Sequence, residues 1–236
     1  MKFMKSFFLV FSALYASAFG SNKTVAIYQQ HPIAVSDCVN ALKKILRTKY
    51  NVEIVTHNIL TPSYLESVDC IVFPGGIGDA DRFDDLLADK KKIIRDYVSD
   101  GGSYVGICMG SYFAGKYYFD LLGDVDAVQY IKRPNSNVKN QQPTTTKCYW
   151  FGKPFDMYFY DGSAFVGDIK RHQVLAEYAN GDVAGLCKKF ERGKVAVIGP
   201  HPEALDSWYR EINKRNLWHD GKLHKLLLNL FDNVLE

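Results

Sequence analysis

Residues 102–115 read GSYVGICMGSYFAG. The first part, Ser103 to Ile107, is a run of small and apolar residues, as in a strand buried on both faces. It runs straight into Gly106-Ile107-Cys108-Met109-Gly110, and a helix is expected from Ser111. The pattern is G-x-nucleophile-x-G, the signature of a strained strand-to-helix turn. Glycine stands on either side of the nucleophile because such a turn leaves no room for side chains there. The bend lifts Cys108 clear of the sheet and aims its sulfur near a helix N-terminus, whose partial positive charge favours the thiolate. An inert cysteine in a Gly-rich turn would look the same, so the surrounding chain must decide.

On the N-terminal side, short apolar runs alternate with amphipathic ones. Residues 24–28 (TVAIY), 52–56 (VEIVT) and 70–73 (CIVF) read as strands. Ser36 is the expected N-cap of a helix carrying Val39, Leu42, Ile45 and Leu46 at helical spacing. A second helix is expected over residues 86–98, with Lys90, Lys91 and Lys92 on its solvated face. Strands separated by helices of this length imply right-handed βαβ units and a parallel sheet.

On the C-terminal side, residues 124–164 break the rhythm: 135–147 is polar and rich in turn formers, 148–160 is aromatic and partly alternating. This predicts an inserted antiparallel hairpin region with mobile loops. Residues 174–178 and 184–190 are further strands joined at Asn180-Gly181-Asp182. Residues 195–198 form the last strand, and 222–234 a terminal helix whose Leu226, Leu227, Leu230 and Val234 face inward.

Two further segments fall at the carboxyl ends of strands, where open parallel sheets bind ligands. Pro200-His201-Pro202-Glu203 follows the last strand. A thiol nucleophile needs a base to take its proton and return it to the leaving amine, and that imidazole works better beside a carboxylate. In extended backbone, residues two apart point the same way, so Glu203 is expected to reach His201. Phe73-Pro74-Gly75-Gly76-Ile77-Gly78 closes the third strand. There Gly75 or Gly76 and the Met109 N–H are the candidate oxyanion donors. The glycine spacing does not fit a nucleotide P-loop. His31, after the first strand, is a loop histidine near the same edge. His172, His219 and His224 lack metal-ligand spacing.

FPGG, GICMG and HPE, in that order at successive strand ends, resemble the class I glutamine amidotransferase-like superfamily. More closely, GGSYVGICMGSYFAG and VIGPHPEA are similar to the amidotransferase-like N-terminal domain of fungal-type biotin–protein ligases and its stand-alone relatives. The resemblance implies a single flavodoxin-like α/β domain. It also implies a Cys108–His201–Glu203 triad cleaving a γ-glutamyl-type amide through a thioester, with no cofactor and no metal. A small-molecule or peptide amide would be the substrate, and ammonia could pass to a separate partner. Ser111-Tyr112 stand where glutaminases of the superfamily carry a His-Gln pair, which leaves glutamine itself open as the substrate. A non-catalytic ligand-binding module, with Tyr104, Tyr112, Phe113, Tyr117 and Tyr118 around a pocket, is one alternative. A redox sensor using Cys108 on the same fold is another.

Composition bounds the rest. With 29 basic and 26 acidic side chains over 236 residues, there is no broad positive field for nucleic acid. Residues 1–20 carry Lys2 and Lys5 ahead of an uncharged apolar run and Ala16-Ser17-Ala18, the pattern of a signal peptide. Its cleavage would leave residues 21–236 as one domain, secreted or within the secretory pathway or periplasm, with no stable membrane span. Asn22-Lys23-Thr24 is a glycosylation sequon next to the cut. Of five cysteines, Cys38, Cys70, Cys148 and Cys187 could form two bridges beside a free Cys108. Alternatively, all five are buried thiols.

Overall fold

The computed structural model describes residues 23–236; the expected leader, residues 1–20, and Asn22 of the sequon lie outside the described residues. From the N-terminus, strand β1 (Thr24–Tyr28) leads to helix α1 (Ser36–Leu46), β2 (Asn51–Val55), the short α2 (Pro62–Leu65), β3 (Cys70–Phe73), α3 (Asp84–Ser99) and β4 (Ser103–Ile107). The elbow helix α4 (Met109–Phe113) follows. Then come β5 (Val125–Gln129), β6 (Thr144–Trp150), β7 (Lys153–Phe159), β8 (Ser163–Gly167), β9 (Gln173–Tyr178), β10 (Val183–Phe190) and β11 (Gly193–Ile198). Helices α5 (Asp206–Glu211) and α6 (Lys222–Leu235) complete the chain.

The sheet runs β2-β1-β3-β4-β11-β10-β9-β6-β7. Its first five strands are mutually parallel, in the flavodoxin-like order, with β11 in fifth place. β3 and β4 are buried at every position, which is why their sequences are unbroken apolar runs. From β10 onward the pairing is antiparallel. The region expected as an insertion thus extends the main sheet: the β6–β7 hairpin forms its far edge, while β5 and β8 pair with each other and hang from β10.

Several local expectations need correction. Ser36 is the first residue of α1 rather than its cap; Val35 takes that place, with no side-chain cap. The elbow helix begins at Met109, immediately after Cys108, and not at Ser111. Lys90 is only 7% exposed and pairs with Asp89 at 2.9 Å. Lys91 is partly buried against Asp84, so of the three lysines only Lys92 lies on the open face of α3. The long methylene stem of Lys90 lets it occupy an inward position while its head finds a carboxylate. None of the five cysteines is bonded to another, so the two-bridge alternative gives way to five buried thiols. Among the described residues no helix is long and apolar enough to cross a membrane.

Candidate active site

Every element that bears a candidate residue ends at the same edge of the sheet. β4 delivers Cys108, whose backbone has φ 52° and ψ −109°, a sparsely populated conformation that side-chain-bearing residues hold only under constraint. The constraint comes from close packing on both sides. A Cβ on Gly106 would lie 2.4 Å from the Gly110 carbonyl oxygen, and one on Gly110 would lie 1.8 Å from that of Phe73. The Cys108 N–H donates to the Ile198 carbonyl, tying the elbow to the end of β11. Ser111 locks it from inside, its hydroxyl meeting the Cys108 carbonyl and the Ser163 hydroxyl, each at 2.5 Å.

β11 delivers His201 and Glu203. The backbone here is not extended, as the sequence suggested. It turns tightly, with the Ala204 N–H donating to the His201 carbonyl. The turn still brings His201 Nδ1 within 2.8 Å of Glu203 Oε1. Three contacts hold it. His201 N–H donates to the Tyr158 carbonyl of β7, and the Ala204 carbonyl accepts from Trp218 Nε1 and His224 Nε2. Burial lowers the pKa of His224, against its hydrogen bond to the Ala204 carbonyl. The imidazole of His201 lies edge-on to the rings of Tyr158 and Trp208.

His201 is 3% exposed and Glu203 fully buried. Burial by itself would strip the proton from His201. The Glu203 carboxylate and then the Cys108 sulfur outweigh it and hold the imidazolium well above the usual histidine range. The Cys108 thiol also donates to the Tyr160 carbonyl at 3.4 Å.

Cys108 opens onto a cavity of about 800 Å³. Gly76 and Met109 border it, as do Tyr112, Tyr117, Tyr118 and Asp161. Gly75 sits behind this wall: a Cβ on it would lie 2.7 Å from His201 Cε1. Among the described residues, neither Gly75 nor Gly76 gives its N–H to a backbone carbonyl. Of the aromatic residues proposed for a pocket, Tyr104 and Phe113 are instead in the core. His31 is exposed and does not border the cavity.

Two residues were not singled out from sequence. Asp161, at φ 49°, receives side-chain N–H bonds from Gln129 and Gln141 on one oxygen, at 2.9 and 2.7 Å. Burial raises its pKa against those bonds. Cys38, on the inner face of α1, places its sulfur against His201 and Glu203, all three donor atoms within 4.8 Å of one another. Burial pushes its thiol pKa up, with the imidazole pulling the other way. Its position in the first turn after β1, at the carboxyl edge, was the available signal.

A parallel sheet in this order, with a cysteine elbow after its fourth strand and a His–Glu pair after its last parallel strand, is the class I glutamine amidotransferase-like fold. Within it, residues 24–125 match the family model described as biotin-protein ligase, N terminal. Among solved structures the chain is similar to a glutamine amidotransferase from Thermotoga maritima. There identity is 16% over 91% of this chain and 99% of that one, with a TM-score of 0.61. PurLQS from the same organism gives 17% identity over 89% and 99%, with a TM-score of 0.60. An exo-beta-1,4-mannosidase from an Opitutaceae bacterium contains a similar unit: 15% identity over 89% of this chain but 36% of that one, with a TM-score of 0.56. At such identities the likeness shows the fold alone, and the fold serves several chemistries. No curated protein matches the chain by sequence.

Proposed function

We propose that the protein is a cysteine-dependent amide hydrolase or amidotransferase acting on a γ-glutamyl-type amide. The observation that carries this reading is the buried His201–Glu203 pair at 2.8 Å, its imidazolium favoured by the sulfur of an elbow cysteine that faces a cavity. With Nδ1 engaged by Glu203, Nε2 is the nitrogen left to serve Cys108. His201 takes the thiol proton, and the sulfur attacks the amide carbonyl carbon. The oxygen, now negative, is stabilised by N–H groups, for which Gly76 and Met109 at the cavity wall are the candidates. As the C–N bond breaks, His201 passes its proton to the departing amine, leaving a thioester on Cys108. Water, deprotonated by His201, then attacks the thioester. The carboxylic acid leaves and the thiol is restored.

The cavity is large for free glutamine, which favours an amide with further groups beyond the γ-glutamyl unit, such as a small peptide. Tyr112, whose hydroxyl donates to the Asp161 carbonyl, occupies the place of the glutamine-holding residue of related glutaminases. That also favours a different amide. The test is incubation with a γ-glutamyl analogue bearing an electrophilic ketone, followed by peptide mapping. One adduct is expected, on Cys108, forming much more slowly in His201→Ala. An adduct elsewhere, or undiminished labelling in that variant, would sink the reading.

A further inference from the structure

Thioester chemistry has no use for Cys38, yet its sulfur is packed against the base. Cys38, His201 and Glu203 are all at least 95% buried. Their donor atoms lie within 4.8 Å of one another. Glu203 Oε1 engages Nδ1 of His201, while Oε2 is buried with no hydrogen-bond partner among the described residues. An orphaned carboxylate oxygen in the interior is costly and calls for an explanation. Glycine at position 75 is what lets the two groups approach: a Cβ there would lie 2.9 Å from the Cys38 sulfur and 2.7 Å from His201 Cε1, intruding between them.

We infer that Cys38, His201 Nδ1 and Glu203 form a three-ligand site for a borderline-soft divalent cation, zinc being the natural occupant, behind the imidazole. A thiol, an imidazole and a carboxylate are the three ligand types zinc accepts, whereas magnesium and calcium take oxygen. At zinc bond lengths of about 2.0–2.3 Å, tetrahedral donors sit about 3.5 Å apart. The widest pair here therefore closes by roughly 1 Å, within reach of a χ1 adjustment of Cys38. Binding replaces the proton between Nδ1 and Glu203 and releases that of the Cys38 thiol. With Nδ1 on the cation, His201 can carry a proton only on Nε2 and no longer forms the imidazolium that Glu203 and the Cys108 sulfur sustain. The cation thus silences the nucleophile without touching it. This consequence rests on the proposed amide chemistry; the site itself does not.

The experiment is titration of the full chain, stripped by chelator, with Co²⁺ as a spectroscopic probe and then Zn²⁺. The wild type should take up one equivalent and develop the near-ultraviolet thiolate-to-cobalt band. Cys38→Ser and Cys38→Ala should lose that band and bind about tenfold or more weakly, while Cys108→Ala keeps it. Circular dichroism of each variant checks that it is folded. Absence of uptake by the wild type, unchanged binding in both Cys38 variants, or loss of the band in Cys108→Ala would each overturn the proposal. In a second arm, Zn²⁺ should slow electrophile labelling of Cys108 in the wild type and not in Cys38→Ser. If the metal-free protein is never labelled, the amide chemistry fails while the cobalt result still decides the site.

Discussion

At Gly110 and Glu203, one atom more or one charge less decides whether the elbow and its base survive. A Cβ on Gly110 would meet backbone, the Phe73 carbonyl at 1.8 Å, and backbone cannot rotate away as a side chain can. Gly110→Ala should therefore push α4 off the end of β3 and cost about 1–3 kcal/mol of stability, the usual range for overpacking; denaturant unfolding would measure it. Glu203 raises a different question, because it supplies charge without touching substrate. In Glu203→Gln the imidazole keeps its neighbour's shape but loses its anion. Its proton should come off at lower pH than in the wild type, read as a downward shift of the His201 ring signal in an NMR titration. An unmoved midpoint would mean that Glu203 is not what holds the imidazolium. Turnover of an amide substrate should fall by about 10³–10⁴-fold, the scale set by loss of the orienting carboxylate in other triads.

Elements are held in register by contacts that bridge sequence gaps, and one of these responds to pH. The Arg133 guanidinium grips Asp182 through two bonds, at 2.9 and 3.0 Å, joining the loop after β5 to the β9–β10 turn. That contact holds the Asp182 carboxyl below its ordinary value. A depressed carboxylate contributes stability above its unfolded pKa, about 3.9, and the contribution is lost as pH falls through the folded value. Asp182→Asn should thus be less stable than the wild type at neutral pH, by about 1 kcal/mol for a partly buried bidentate pair. The gap should close in acid below about pH 4; a constant gap would show that charge is not involved. The same distinction between local and distant contacts explains which elements were legible. β1, β3 and β4 could be read to the residue because burial on both faces leaves an unbroken apolar run between turn formers. Short α2 and α5, at four and six residues, carry too few turns to show a period. The status of the β6–β7 hairpin as an extension of the sheet depends on its pairing with β9, which no local pattern encodes.

Across the whole molecule, convergence on one edge separates what the chain order could disclose from what it could not. Cys108, His201 and Glu203 stand out because each sits in a short motif after an apolar strand. Cys38 has no motif and reaches the same place only because α1 folds back across the edge beside Gly75. Its fate distinguishes a reduced interior from a bridged one, and the cysteines give a direct assay of the architecture. Cys70 and Cys148 have no exposed surface, and burial drives their thiol pKa values far up. Cys38 lies behind the Gly75 wall, and Cys187 faces the Asn233 carbonyl of α6. Only Cys108 borders the 800 Å³ cavity, the route by which a reagent arrives. Alkylation of the native protein should therefore modify one thiol rapidly and the other four at the rate of unfolding. In concentrated guanidinium without reductant all five should react, since none is bridged. Cys108→Ala should remove the fast phase and leave four. Three or fewer reactive thiols in the unfolded wild type would mean that a bridge forms after all. A fast phase surviving in Cys108→Ala would show that another cysteine has its own path to solvent.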